Sequence, residues 1–139
     1  MNSQFDDFQE QILEDARKIY SETTIDHFMN PRNFGRLDDY NGFAKVTGSC
    51  GDSMSIWINV VDGIISEISF NTDGCGSSIA SASMVTELAN GKTIEEALKI
   101  GQWDVVKALG GLPKENEHCG LLAASAIRGA VENFLESQK

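Results

Sequence analysis

Residues 55–71, SIWINVVDGIISEISFN, carry the reading that decides the fold. In the first run Ile56, Ile58 and Val60 share one face. In the second, Ile64, Ile68 and Phe70 share a face, with Glu67 and Asn71 opposite. Both runs repeat with period two, the signature of a strand covered on one side. Between them lies Asp62-Gly63, a two-residue connection suited to a type I′ turn. The pattern predicts an antiparallel hairpin over 55–61 and 64–71. A weaker alternation at 43–47 adds a third strand, the minimum for a self-supporting sheet with one covered face.

Downstream of the hairpin the apolar period lengthens to the helical one. Ser77 or Ser78 can cap a helix running to about Asn90, with Gly91 as its stop. Thr93-Ile94-Glu95-Glu96 reads as a capping box opening a helix that ends at Gly101. A short helix through Trp103, Val106 and Leu109 stops at Gly110-Gly111, and the last runs from about Gly120 to Glu136. Its buried stripe is Leu122, Ala126, Ala130 and Phe134. Upstream, residues 5–29 are helical, with Phe5, Phe8, Ile12, Ala16 and Ile19 on one stripe and acids on the other side. Thr23-Thr24 weakens the middle, so one helix or two are equally compatible, and Pro31 ends the run. Residues 32–41 read as loop, in which Arg32 holds the chain, and His27 is a satisfied helix residue. The expected architecture is α+β: a three-stranded antiparallel sheet with helices packed on one face, an N-terminal helix and a long C-terminal helix.

The 139 residues, 41% of them hydrophobic, suit one domain over 1–139, with 1–19 as a helical extension. A net charge of −10 argues against nucleic acid and anionic membranes as partners, since both need a basic patch. No apolar run approaches the roughly 20 residues of a membrane span. The N-terminal stretch has no secretory signal and carries Asp6, Asp7, Glu10, Glu14 and Asp15, the wrong sign for a transit peptide. Three cysteines rule out a complete internal disulfide framework, and the expected compartment is the reducing cytoplasm. The Phe5, Phe8, Ile12 stripe permits homo-oligomerisation or partner docking, with packing on its own domain the default.

Every cysteine falls at a junction between elements. Cys50, within TGSCGDSM (47–54), lies between the first two strands, and Cys75 lies between the third strand and a helix. Cys119 follows His118 at the start of the last helix. Spacings of 25 and 44 residues exclude a local CxxC knuckle, so only folding could gather them. A single cysteine is as readily core filler as ligand. Three at polar, glycine-rich element ends fit filler poorly, and two stand at helix N-termini, whose partial positive charge favours thiolate. The glycines at 48 and 51 would let a loop close around a metal. Asp52 alone would be a turn residue and His118 alone a surface histidine; beside the cysteines, both are candidates for a fourth ligand.

These motifs resemble a known family. GSCGD (48–52), GCGSSIASAS (74–83) and the His118-Cys119 pair are similar to the three ligand motifs of IscU-type, NifU-N-terminal-like iron–sulfur assembly scaffolds. IDHFMNPRNFG (25–35) resembles that family's N-terminal signature and GKTIEEAL (91–98) its middle, so the likeness spans about Tyr20 to Leu135. The resemblance implies a non-enzymatic scaffold that accepts iron and persulfide sulfur from a cysteine desulfurase. It would build a transient [2Fe-2S] cluster and pass it to apo-proteins. It implies Cys50, Cys75 and Cys119 as thiolate ligands and Asp52 as the weak ligand that tunes release. His118 becomes the alternative fourth ligand, and Cys119, on a mobile loop, the persulfide acceptor. Permanent clusters usually have four thiolates, so a harder carboxylate leaves one weak bond, which suits release.

The family often carries Leu-Pro-Pro-Val-Lys before its histidine–cysteine pair, a segment read by an Hsp70-type chaperone. Here only Leu112-Pro113 of it remains, followed by Lys114-Glu115-Asn116, which argues against that partner. The alternative function is a zinc-binding sulfur acceptor that stimulates a cysteine desulfurase, since three thiolates with Asp or His make a tetrahedral zinc site. The compact LGGLPKENEHC segment, 109–119, argues against the zinc-relay branch of the family, which carries an insertion there and no histidine before its third cysteine.

Overall fold

The computed structural model describes residues 3–49 and 51–139, with side chains from residue 7 onward. Cys50 and the Phe5 side chain, both named above, lie outside the described residues. In chain order come α1 (Ser3–Arg17), α2 (Glu22–Met29), β1 (Gly42–Thr47), β2 (Ser53–Val61) and β3 (Ile64–Thr72). Then follow α3 (Gly76–Ala89), α4 (Ile94–Leu98), α5 (Gln102–Ala108), a 3₁₀ turn at Lys114–Asn116, and α6 (His118–Ser137).

The three strands form one antiparallel sheet in the order β1-β2-β3. Asp62 and Gly63 take φ of 54° and 76°, as the two-residue turn requires. Met54, Ile56, Ile58 and Val60 point into the core, where α6 covers β1 and β2, and α3 covers β3. The opposite face is not bare. Phe43 sits directly across from Trp57 and stacks on it at 5.2 Å, which buries the indole.

One face assignment in β3 is corrected. Ile64 is 43% exposed while Ile65 is fully buried. The cause is a β-bulge: Asn59 pairs with Glu67 but Val60 pairs with Ile65, so Ser66 is an extra residue. Its hydroxyl donates to the Asn59 carbonyl at 2.9 Å. A one-residue slip shifts the alternation by one phase, so Ile68 and Phe70 stay inside while Ile65 replaces Ile64.

The N-terminal helical stretch is two helices. Ser21 breaks it by capping α2: its oxygen accepts from the Thr24 amide at 3.0 Å, while its hydroxyl donates to the Leu109 carbonyl. Thr24 donates to the same carbonyl at 3.1 Å, anchoring α2 to the end of α5. Leu13, Ala16 and Tyr20 turn towards Ile25, Phe28 and Met29 across an apolar cleft of about 250 Å³. The predicted stripe therefore packs only in part: Ile12 and Ala16 border the cleft, whereas Phe8 (64%) and Ile19 (61%) are exposed.

Two boundaries also move. The N-cap of α3 is Cys75, with Ser77 and Ser78 buried inside the first turn instead of capping it. The α4 helix has the predicted box, with both Thr93–Glu96 hydrogen bonds at 3.1 Å, but ends at Leu98. The α6 stripe of Leu122, Ala126, Ala130 and Phe134 is buried as expected. Among the described residues no helix is long and apolar enough to cross a membrane.

Candidate functional site

Three segments meet at one corner: the loop 48–52 between β1 and β2, the start of α3, and the start of α6. Hydrogen bonds from the Gly51 amide to the Gly48 carbonyl (3.0 Å) and from the Gly48 amide to the Asp52 carbonyl (2.8 Å) close the loop. Gly51 holds φ at 92°, a conformation costly for any residue with a Cβ. Gly48 does not need to be glycine for space, since a Cβ there would meet Leu122 at an ordinary 3.5 Å. A backbone conformation that favours glycine is thus required at Gly51 and not at Gly48.

The loop is pinned to the segment leading into α3. Asp73 Oδ1 accepts from the Ser53 amide at 2.7 Å, and Thr72 Oγ1 donates to the Ser53 carbonyl at 2.6 Å while accepting from the Gly74 amide. This brings the half-buried Asp52 against α3. Ser78, fully buried, donates its hydroxyl to Asp52 Oδ2 at 3.1 Å. Ser78 Oγ also lies 3.5 Å from Cys119 Sγ on α6, and that sulfur is 3.7 Å from His118 Nε2. Carboxylate, hydroxyl, thiol and imidazole thus form a continuous series across three segments. Gly74 makes the approach possible, because a Cβ there would fall 2.5 Å from Ser78 Oγ, 2.6 Å from Ser78 Cβ and 2.8 Å from Asp52 Oδ2. Nothing in the spacing of the motifs singles out Ser78 or Gly74 for this contact. The signal for Ser78 was present as a helix-start serine, but its partner across the fold was not.

The two described cysteines differ. Cys75 is exposed at the α3 N-cap, one turn before Ser78, and Cys119 is 1% exposed in the first turn of α6. Cys119 therefore lies on a helix and not on the mobile loop that the resemblance implied. Helix α6 extends two residues upstream of the expected start, and Gln102 of α5 holds that end by donating to the Glu117 carbonyl at 3.0 Å. Both helix starts lack a side-chain cap, so their amides turn a partial positive charge towards this corner. Sulfur, oxygen and imidazole nitrogen together suit a borderline metal such as iron or zinc. Among the described residues no three His, Cys, Asp or Glu side chains form a group that could hold a metal ion, and Cys50 lies outside them.

The second histidine belongs to a separate polar cluster. His27 Nδ1 is 2.8 Å from Ser83 Oγ and Nε2 is 3.3 Å from Glu87, so it is satisfied within the fold, as expected. Burial, helped by the nearby Arg32 charge, holds its pKa below the ordinary value. Arg32 binds Asp26 at 2.6 Å and the Asn30 carbonyl at 3.2 Å, the loop-holding role read from the sequence. Its hydrogen bond holds the Asp26 carboxyl below its usual pKa.

Comparisons with known proteins find relatives both of the sequence and of the fold. The model of the NifU-like N terminal domain family matches residues 19–139. Over 117 residues the chain is 51% identical to iron-sulfur cluster assembly scaffold protein IscU 1 of Archaeoglobus fulgidus, covering 84% of this chain and 76% of that protein. It is 41% identical over 122 residues to the Aquifex aeolicus scaffold protein IscU, covering 86% and 78%. The crystal structure of a NifU-like protein (N-terminal) from Brucella abortus superposes with a TM-score of 0.68 at 18% identity, covering 85% of this chain and 95% of that one.

Proposed function

This chain belongs to the NifU-like N-terminal domain family, and on that premise we propose that it is a non-enzymatic scaffold on which iron–sulfur clusters are assembled. It takes ferrous iron, and sulfane sulfur from the persulfide of a cysteine desulfurase, which electrons from the iron and from a thiol reductant bring to sulfide; it builds a [2Fe-2S] cluster and yields it to acceptor apo-proteins. The relatives named as scaffolds support the general role. The observation that carries the reading is the series Asp52–Ser78–Cys119–His118, which gathers oxygen, sulfur and nitrogen donors at one corner.

Cys50, Cys75 and Cys119 serve as thiolate ligands in this reading, and Asp52 or His118 completes the set. A carboxylate is a harder donor than thiolate and holds iron more weakly in a sulfur-rich site, so the fourth bond is the one that opens on transfer. Cys119 accepts sulfane sulfur only after the first turn of α6 opens, because its sulfur is buried. Thiolate chemistry of this kind belongs in a reducing compartment such as the cytoplasm.

The test is anaerobic incubation of the purified chain with ferrous iron, cysteine and a cysteine desulfurase. Visible absorption and acid-labile sulfide are followed, and then transfer to an apo-ferredoxin. A cluster that forms and moves supports the reading. Persulfide accumulating on the chain without cluster would replace it with that of a zinc-binding sulfur acceptor.

A further inference from the structure

We propose that Ser78 is a positioning residue that keeps Asp52 a weak, one-oxygen ligand, an inference that rests on the scaffold reading above. The serine hydroxyl has one hydrogen, and it is donated to Asp52 Oδ2 at 3.1 Å. The Cys119 sulfur then meets Ser78 Oγ, 3.5 Å away, as the donor when it carries a proton. One buried hydroxyl thereby ties the ligand on the β1–β2 loop to the ligand on α6.

The placement is stringent. Ser78 has no exposed surface, and it sits in the first turn of α3, whose backbone is fixed by the sheet and by α6. The carboxylate is pressed against it in the space left by the missing Gly74 Cβ. An oxygen that already accepts a hydrogen bond has less electron density and one lone pair fewer for a metal. It is also held back from swinging into two-oxygen coordination. Ser78 thus weakens Asp52 as a donor while keeping it beside the thiol, which makes the carboxylate a bond that opens readily. A Cα-to-Cα tether alone would predict the opposite sign, since removing it would loosen the site.

The test uses the full chain loaded anaerobically with Co²⁺, whose sulfur-to-cobalt charge-transfer band reports thiolate coordination, followed by a chase with excess EDTA. Native, Ser78→Ala, Ser78→Thr, Asp52→Ala and the double Ser78→Ala/Asp52→Ala chains are compared. Part of a hydrogen bond to a charged group is lost with the hydroxyl, so Ser78→Ala should slow cobalt release by about three- to tenfold. Ser78→Thr, which keeps the hydroxyl, should release faster than Ser78→Ala. In the Asp52→Ala background Ser78→Ala should have no effect. Faster or unchanged release in Ser78→Ala overturns the inference, as does an effect of equal size with and without Asp52. If the native chain shows no charge-transfer band at all, the scaffold site itself is refuted and the inference falls with it. A band in the native chain combined with any of the other failures leaves the scaffold reading intact.

Discussion

Helices α4 and α3 begin in opposite ways. Helix α4 opens on a complete box, Thr93 and Glu96 each satisfying the other's backbone amide. Helix α3 opens on Cys75, whose backbone has the extended geometry of an N-cap but whose side chain makes no cap hydrogen bond. Helix α6, which carries Cys119, likewise starts without a side-chain cap, on Glu117. The helix remote from the corner is built for stability. The two at the corner start without a side-chain cap, and α3 puts sulfur at its N-cap, where serine or threonine would stabilise the end better. Local rules relaxed where a chain gathers reactive groups are what a stability–function trade-off looks like at a helix start.

The largest effect expected from disturbing the corner follows Gly74→Ala. Its Cβ would overlap Ser78 and Asp52, an overpacking that should cost about 1–3 kcal/mol in urea unfolding. Gly48→Ala, with room for its methyl, should cost much less; equal costs would mean the close approach at Gly74 is not there. Next comes thiol accessibility. In a Cys50→Ser background, iodoacetamide should label Cys75 faster than Cys119 by on the order of tenfold or more, since the buried thiol reacts only on local opening. Comparable rates in peptide mass spectra would erase the distinction between the two helix starts.

The caps themselves give a smaller and oppositely signed pair. Thr93→Ala should lower stability by about 1 kcal/mol, whereas Cys75→Ser, which installs a better capping residue, should raise it by about 0.5 kcal/mol. If Cys75→Ser instead destabilises, the α3 start is optimised for folding and the contrast with α4 fails.

The smallest effect concerns His27, which anchors α2 on α3 behind the corner. Its pKa is lowered in the folded chain, so below its ordinary value near 6.5 the unfolded chain takes up a proton that the native one resists. Stability contributed by the neutral ring is present above that pH and should decline as pH falls through it. Urea midpoints from pH 7.5 to 5.5 should show a slope that His27→Gln flattens.

Much of the fold was legible in local patterns. Asp62-Gly63 announces its turn because only a few residues accept two successive positive φ angles. The α6 stripe is legible because Leu122, Ala126, Ala130 and Phe134 all face one continuous core. The phase slip at Ser66 was not legible, since Ile64 and Ile65 are equally apolar and neighbouring letters do not mark which strand carries an extra residue. The α1 stripe misled in part. Its apolar positions fit a helix, but of the stripe only Ile12 and Ala16 border the cleft, beside Leu13 from outside it, while Phe8 stays exposed.

The chain's letters alone determined the class of fold, the junction positions of its cysteines and the family to which its motifs point. Such features follow from periodicity and from residue types whose chemistry is local. Only the folded chain decided that Ser78 reaches Asp52 and Cys119, and that Gly74 clears the space between them. It also decided that one sulfur is open while another is buried. Those outcomes depend on distances between segments tens of residues apart, set by how sheet and helices pack, and no window of sequence encodes them.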